Sequence, residues 1–295
     1  MAPQGESNRR IECIADVRAN VGEGSVWVPR ERALYWVDNK GRKVFRRSEA
    51  GEVRTFDTPF EICCLAPRQS RCFIAGTDRG LAEVDLEAGR FDIVANPEAD
   101  LPGNRFNDGK TDPWGRFWSG TMDDAEKKAT GSLYRFDADL SCTKIDSGYR
   151  VTNGPAFDRG RMRMYHTDSA AKTIYAFDLS QSGDPSGRRV FAQFRDEDGS
   201  PDGMTVDSEG WLWICFWDGW CLRRLSPGGE TVERIAMPVQ RPTSCTFGGP
   251  DLDRLYVTSA RRGMDEDALE MQPCAGGLFL VETSVRGATE TSFAG

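Results

Sequence analysis

Asp112-Pro-Trp-Gly-Arg-Phe-Trp-Ser119 and Asp207-Ser-Glu-Gly-Trp-Leu-Trp-Ile214 repeat one pattern. A turn rich in Asp, Gly, Pro or Arg leads into a short strand of apolar and aromatic residues. The same pattern appears in Pro29-Arg-Glu-Arg-Ala-Leu-Tyr-Trp-Val37, Pro67-Arg-Gln-Ser-Arg-Cys-Phe-Ile-Ala75, Asp158-Arg-Gly-Arg-Met-Arg-Met-Tyr-His166 and Pro250-Asp-Leu-Asp-Arg-Leu-Tyr-Val257. The anchor aromatics are Trp36, Phe73, Trp118, Tyr165, Trp213 and Tyr256, at successive gaps of 37, 45, 47, 48 and 43 residues. Such gaps match the roughly 40–50-residue period of propeller blades.

Further short alternating strands follow each anchor, as in Lys172-Thr-Ile-Tyr-Ala-Phe-Asp178 and Arg189-Val-Phe-Ala-Gln-Phe194. Gly, Asp and Ser turns separate them. Helical stripes are nearly absent; only residues 265–271 read as one helical turn. The reading is all-β, a six-bladed β-propeller with four strands per blade. The blades fall near 22–60, 61–103, 104–150, 151–199, 200–240 and 241–295. The strand at 11–18 completes the last blade and fastens the ring. Two stacked β-sandwiches are the alternative, but they leave a sixfold period unexplained. Length alone, at about 150 residues per domain, would also have allowed two domains.

Composition narrows the function. With 38 Lys and Arg against 46 Asp and Glu, the net charge is −8, which argues against a nucleic-acid partner. No apolar run approaches the roughly 20 residues of a membrane span, and the polar first ten residues do not form a secretory signal. A cytoplasmic protein is expected. Nine cysteines without a CxxC pair read as reduced, mostly packed thiols; the adjacent Cys63 and Cys64 suggest no function. The single histidine, His166, excludes HExxH motifs and paired-histidine sites. A structural role bonding a neighbouring blade is expected for it. The chemistry must rest on carboxylates, amides, arginine, lysine, hydroxyls or an oxygen-liganded metal.

In a propeller the first strands of all blades surround the axis, so equivalent positions at their starts converge. Those starts read Gly22-Glu23-Gly24, Phe60-Glu61-Ile62, Phe106-Asn107-Asp108-Gly109, Thr152-Asn153-Gly154, Pro201-Asp202-Gly203 and Thr243-Ser244-Cys245. Glu23, Asn107, Asn153 and Asp202 would form a hard-oxygen cage suited to Ca²⁺, Mg²⁺ or Mn²⁺, with Zn²⁺ or Fe²⁺ less natural. Asn-Gly and Asp-Gly are also ordinary turn dipeptides; four in one phase favour the cage. Glu61 shares the phase and either touches substrate or faces solvent. Trp217 and Trp220, in Phe216-Trp-Asp-Gly-Trp220, either pack between blades or wall a sugar pocket. Arg261 and Arg262 read as surface or loop charges.

These stretches resemble the SMP-30/gluconolactonase/regucalcin family of six-bladed propellers. The resemblance runs from Gly22-Glu23-Gly24 to the terminal Phe293-Ala-Gly295. Its strongest parts are Asn104-Arg-Phe-Asn-Asp-Gly-Lys-Thr-Asp-Pro113, Trp118-Ser-Gly-Thr-Met122, Thr152-Asn-Gly-Pro155, Pro201-Asp-Gly-Met204 and Ser244-Cys-Thr-Phe-Gly-Gly249. It implies hydrolysis of a sugar lactone or related ester with one divalent metal, Ca²⁺ foremost. By motif match it implies Glu23, Asn153 and Asp202 as metal ligands, Asp202 also as general base, and Arg105 and Asn107 as substrate contacts. The family's animal members carry a substrate-contacting Glu shortly after Gly-Thr-Met. Counting from Gly120-Thr-Met122, Ala125 falls at that offset, so either Asp124 substitutes or the loop is rebuilt. Two alternatives stay open: a related hydrolase for phosphotriesters or larger acyl esters, and a non-enzymatic Ca²⁺-binding propeller. A small sugar lactone is the expected partner, for a monomer or a homodimer.

Overall fold

One buried acid closes each of the two quoted turns. Asp112 accepts hydrogen bonds from the backbone N–H of Trp114 and Arg116, from the Arg116 guanidinium, and from the Trp118 indole at 2.7 Å. Asp207 accepts from the N–H of Glu209 and Trp211, from the Trp213 indole at 2.9 Å, and from Arg224. Both carboxylates are buried, so their lone pairs need this many donors. The same acid therefore shapes the turn and fixes the anchor tryptophan of the strand that follows.

The computed structural model describes residues 5–6, 9–70 and 72–295. Six antiparallel sheets form the blades. Their first strands are Gly22–Val28, Ile62–Pro67, Asn104–Thr111, Thr152–Asp158, Ser200–Val206 and Pro242–Gly248. Each first strand contacts that of the next blade, and the sixth contacts the first, which closes the ring. The fourth strand of blade 6 is the N-terminal Ile11–Ala15, paired antiparallel with Leu278–Glu282, as the sequence led us to expect. A two-residue strand, Gly5–Glu6, adds in parallel outside blade 5; the repeat gave no hint of it. The expected helical turn is the helix Glu266–Met271, capped by the Asp265 carboxylate accepting from the Ala268 N–H. Among the described residues no helix is long and apolar enough to cross a membrane.

Burial follows strand position. First strands are buried along nearly their whole length, whereas fourth strands such as Val53–Asp57 are mostly exposed. The apolar residues do not meet on the axis. They form six clusters, one at each interface between neighbouring blades. Tyr35 and Phe73 meet between blades 1 and 2, and Trp213 and Phe247 between blades 5 and 6. The axis is thus left to polar side chains. All nine cysteines are free, and Cys63, Cys64, Cys215, Cys221 and Cys245 are buried.

Register refines the anchor assignment. Trp118, Tyr165, Trp213 and Tyr256 lie opposite Lys110, Ala156, Thr205 and Thr246 on the first strands. In blade 1 the equivalent residue is Tyr35, opposite Val26, and not Trp36. His166 is fully buried, but neither ring nitrogen has a hydrogen-bond partner. It touches the neighbouring blade through its ring, edge-on to Tyr149 with centroids 4.8 Å apart. Burial pushes its pKa down to about 3, so it stays neutral. The expected bond to a neighbouring blade is a packing contact instead.

The C-terminal segment straps the end of the ring where the first strands finish. Gly287 pairs with Asp207 and Phe293 with Arg68. The Phe293 N–H donates to Pro67 O, and the Ala294 N–H donates to Gly115 O. Phe293 is fully buried in the cluster of blades 2 and 3. Truncating a buried Phe to Ala costs about 3–5 kcal/mol. We expect Phe293→Ala to lower unfolding stability by that amount in a denaturant titration; a loss below about 1 kcal/mol would show that the strap carries no load.

Candidate functional site

Each of the six first strands carries a bulge near its start. The register shifts fall between Glu23 and Val26, Ile62 and Cys64, Phe106 and Gly109, Asn153 and Ala156, Pro201 and Met204, and Pro242 and Cys245. A bulge bends its strand and re-aims the adjacent side chain. Gly24 (φ +56°) and Gly154 (φ +80°) adopt backbone angles that side chains disfavour. A Cβ on Gly203 would come within 2.8 Å of the Ser244 backbone. The X-Gly pairs therefore let neighbouring strands close up while the preceding residue enters the site.

Glu23, Arg105, Asn107, Asn153 and Asp202 line one cavity of about 390 Å³. The first strands of blades 1, 3, 4 and 5 thus bring five of the seven expected residues together. Glu61 and Asp124 are not in the wall. Lys40 Nζ reaches Glu61 at 2.7 Å and Asp124 at 2.8 Å, and Arg105 Nε reaches Asp124 at 2.5 Å. Burial pushes the Asp124 carboxyl up, but the bonds from Lys40 and Arg105 prevail and hold it at about 2. Asp124 thus clamps Arg105 from behind. The acid of that loop that reaches the cavity wall is Glu126, with φ +58°; counting from the motif stopped one residue short.

Arg105 is held from several sides. Its Nη1 donates to Asn107 Oδ1 at 2.7 Å and to Phe106 O at 2.9 Å. Asn107 in turn donates to Thr152 O at 2.7 Å and makes a longer 3.3 Å contact to Asn153 Oδ1. The Asn153 amide nitrogen donates to Ser169 Oγ at 2.8 Å, and that hydroxyl donates to Pro201 O at 2.6 Å. This chain fixes the amide orientation, leaving Oδ1 as the end available to a ligand.

A third acid, Asp108, lies beside the expected pair. Its oxygens accept from the N–H of Gly109 and Gly154, both at 2.8 Å. Burial and then Asp108 push Glu23 up to about 8, against the Gly24 N–H and Arg105. Burial, then Glu23 and Asp108, raise Asp202 well above the usual carboxylate range. Asp108 itself is pushed up to about 6, chiefly by burial. The sequence had flagged Asn107 at this strand start; Asp108, which precedes Gly109 as Glu23, Asn153 and Asp202 precede their glycines, was missed.

These residues fit a hard divalent cation. Buried carboxylates without cationic partners are costly, and a bound cation removes that cost. Among the described residues no three His, Cys, Asp or Glu side chains gather at ligand spacing. A cation here would be held by Glu23, Asp202 and the amide oxygen of Asn153, an all-oxygen set. A second cavity, of about 450 Å³, lies near the C-terminal strap. It pairs Lys110 with Glu290 and Arg161 with Asp158, and its buried carboxylates Asp158 and Asp207 both have arginine partners, so it lacks the unpaired buried acids of the first cavity. Trp217 lines the first cavity, and so do Arg241 and Arg262; Arg262 is an exposed loop residue, as expected, and it stands at the cavity rim.

The family model described as SMP-30/Gluconolactonase/LRE-like region matches residues 21–261. The chain belongs to this family. It is 34% identical over 290 residues to a protein of Pseudomonas putida named 6-deoxy-6-sulfogluconolactonase, covering 98% of this chain and all of that one. It is 36% identical over 287 residues to one of Azospirillum brasilense named L-arabinolactonase, covering 96% and 95%. A crystal structure described as regucalcin, a calcium-binding protein from Agrobacterium tumefaciens, superposes with a TM-score of 0.92 at 28% identity, covering 97% of both chains.

Cation binding should show as linked stability, about 4 kcal/mol at a cation concentration a thousandfold above the dissociation constant. We expect Ca²⁺ or Mn²⁺ to raise the unfolding midpoint of chelator-stripped wild type, and to leave Glu23→Gln and Asp202→Asn nearly unmoved. An equal rise in all three would place the cation elsewhere.

Proposed function

We propose that this protein is a sugar lactonase, opening the cyclic ester of an aldonic acid to the free sugar acid with one divalent cation bound. The observation that carries the reading is the pairing, in one cavity, of an all-oxygen cation set with a rigidly held arginine. A cavity of about 390 Å³ falls within the range that small-molecule sites use. The names of the Pseudomonas and Azospirillum relatives support a lactone of this kind.

Held by Glu23, Asn153 and Asp202, the cation would supply Lewis-acid polarisation of the ester carbonyl and lower the pKa of a nearby water. The chain's own groups do the rest. Asp202 is the carboxylate that accepts a proton from the attacking water, and the cation offsets the burial and the neighbouring acids Glu23 and Asp108 that would otherwise keep it protonated. The oxygen of that water bonds to the carbonyl carbon, the ring C–O bond breaks, and Asp202 returns its proton to the departing ring oxygen. Such transfer contributes about 10²–10⁴-fold. Asp124, Asn107 and the Phe106 carbonyl occupy Nε and Nη1 of Arg105, which leaves Nη2 to donate to the substrate. Its guanidinium is preorganised, so little entropy is lost on binding.

The test is acid release from D-glucono-, D-xylono- and L-arabinono-lactone, above their spontaneous opening, before and after chelation. Turnover restored by adding back a cation is expected. Asp202→Asn should fall by about 10²–10⁴-fold at saturating cation. No acceleration of any lactone by protein with stoichiometric cation would overturn the reading.

A further inference from the structure

The cavity has a second polar wall, at the junction of blades 6 and 1, three blades around the ring from Arg105. Asn39, Arg241 and Arg262 form it, beside Trp217. Asn39 is 3% exposed, and its Oδ1 is buried with no hydrogen-bond partner. Leaving such an acceptor unpaired costs free energy unless a ligand or water meets it.

Arg241 and Arg262 differ in one respect. Arg241 donates from Nε to Asp218 Oδ1 at 2.6 Å, packs over Trp217 at 4.9 Å, and donates from Nη1 to the Arg262 carbonyl. It is already matched in charge, and it pins the loop that carries Arg262. The Arg262 N–H is tied to Asn20 O at 2.9 Å, and Gly263 (φ +73°) turns the chain directly afterwards. Yet the Arg262 guanidinium, exposed at the rim of the cavity, has no ion pair or hydrogen bond among the described residues.

The charges of the wall can be matched one by one. Glu23 and Asp202 would be balanced by the divalent cation. Arg105 has Asp124 and Arg241 has Asp218. Glu126 and Arg262 remain, on loops of blades 3 and 6, which face one another across a six-membered ring. The cavity is therefore polarised, with an acceptor of hydroxyl protons on one side and an unmatched oxyanion fork on the other. A neutral polyol would leave that fork unused; guanidinium geometry suits a carboxylate, sulfonate or phosphate.

We infer that the substrate carries an anionic group at the end remote from its lactone carbonyl, bound by Arg262, with Asn39 Oδ1 accepting a hydrogen bond from a neighbouring hydroxyl. This rests on the lactonase reading above. Arg241 is a positioning residue that holds the Arg262 loop.

The experiment compares kcat/KM for D-glucono-lactone with that for the same lactone bearing a 6-carboxylate, 6-sulfonate or 6-phosphate; the three arms tell the oxyanions apart. Wild type should favour at least one anionic lactone by about tenfold or more, the range of a charge-assisted hydrogen bond. Arg262→Gln should reduce that ratio about tenfold, Arg262→Glu should reduce it further, and Arg262→Lys should restore part of it. A wild-type ratio at or below one, or a ratio unmoved by Arg262→Gln, would overturn the inference. Calorimetry with open-chain acids makes the same comparison without turnover. D-glucarate should bind about tenfold more tightly than D-gluconate to wild type, but not to Arg262→Gln. Equal binding of the two acids by wild type would overturn the inference even if no lactone is opened. Inactivity toward every lactone together with preferential glucarate binding would overturn only the lactonase reading.

Discussion

Glu23 and Asp202 are buried in one cavity at the propeller axis with the half-buried Asp108 beside them, and among the described residues none of the three forms an ion pair with Lys or Arg. Asp108 is partly compensated by two backbone N–H groups, Glu23 by the Gly24 N–H at 3.2 Å and Asp202 by the Gly203 N–H. Their mutual repulsion, at low local dielectric, is the constraint on which the site depends. A ring of blades tolerates it because the apolar material lies between blades rather than on the axis. Six interface clusters and two terminal fastenings stabilise the ring independently of what sits at its centre. The acids can therefore be kept for binding a cation instead of being relieved by mutation to apolar residues.

Around this centre the polar groups are layered. Ser169 holds Asn153, and Asn107 joins Asn153 to Arg105. Asp124 and Lys40 brace Arg105 from outside. Each inner group is thus fixed by a partner on a different strand or blade, which is what preorganisation of a small-molecule site requires. The wall at blades 6 and 1 follows the same rule, with Arg241 bracing the loop that presents Arg262.

Much of this was legible because one residue type does two jobs at a repeated position. Asp112 and Asp207 close turns and hold indoles, so the turn signal and the anchor aromatic travel together in sequence. The X-Gly starts of the first strands were legible for the same reason: the bulge needs the glycine, and the glycine marks the residue before it. Where register decides, the sequence is silent. Trp36 and Tyr35 are adjacent aromatics, and only strand pairing shows that Tyr35 holds the anchor position. Asn107 and Asp108 are adjacent polar residues at one strand start; Asn107 lines the cavity, whereas Asp108 holds the Gly109 and Gly154 N–H groups. Glu61 and Asp124 are drawn off the cavity by Lys40, which comes from blade 1 and has no phase in the repeat. Glu126, Asn39 and Arg262 lie in turns and loops, where the period carries no information about direction.

We propose that Glu23, Asn153 and Asp202 jointly hold one divalent cation. Anomalous diffraction from crystals grown with Mn²⁺ tests it most directly. A single strong peak within about 2.0–2.6 Å of oxygens from all three side chains is predicted, given the bond lengths of hard divalent cations. No anomalous peak among these three residues, at a Mn²⁺ concentration that saturates binding in solution, would contradict it.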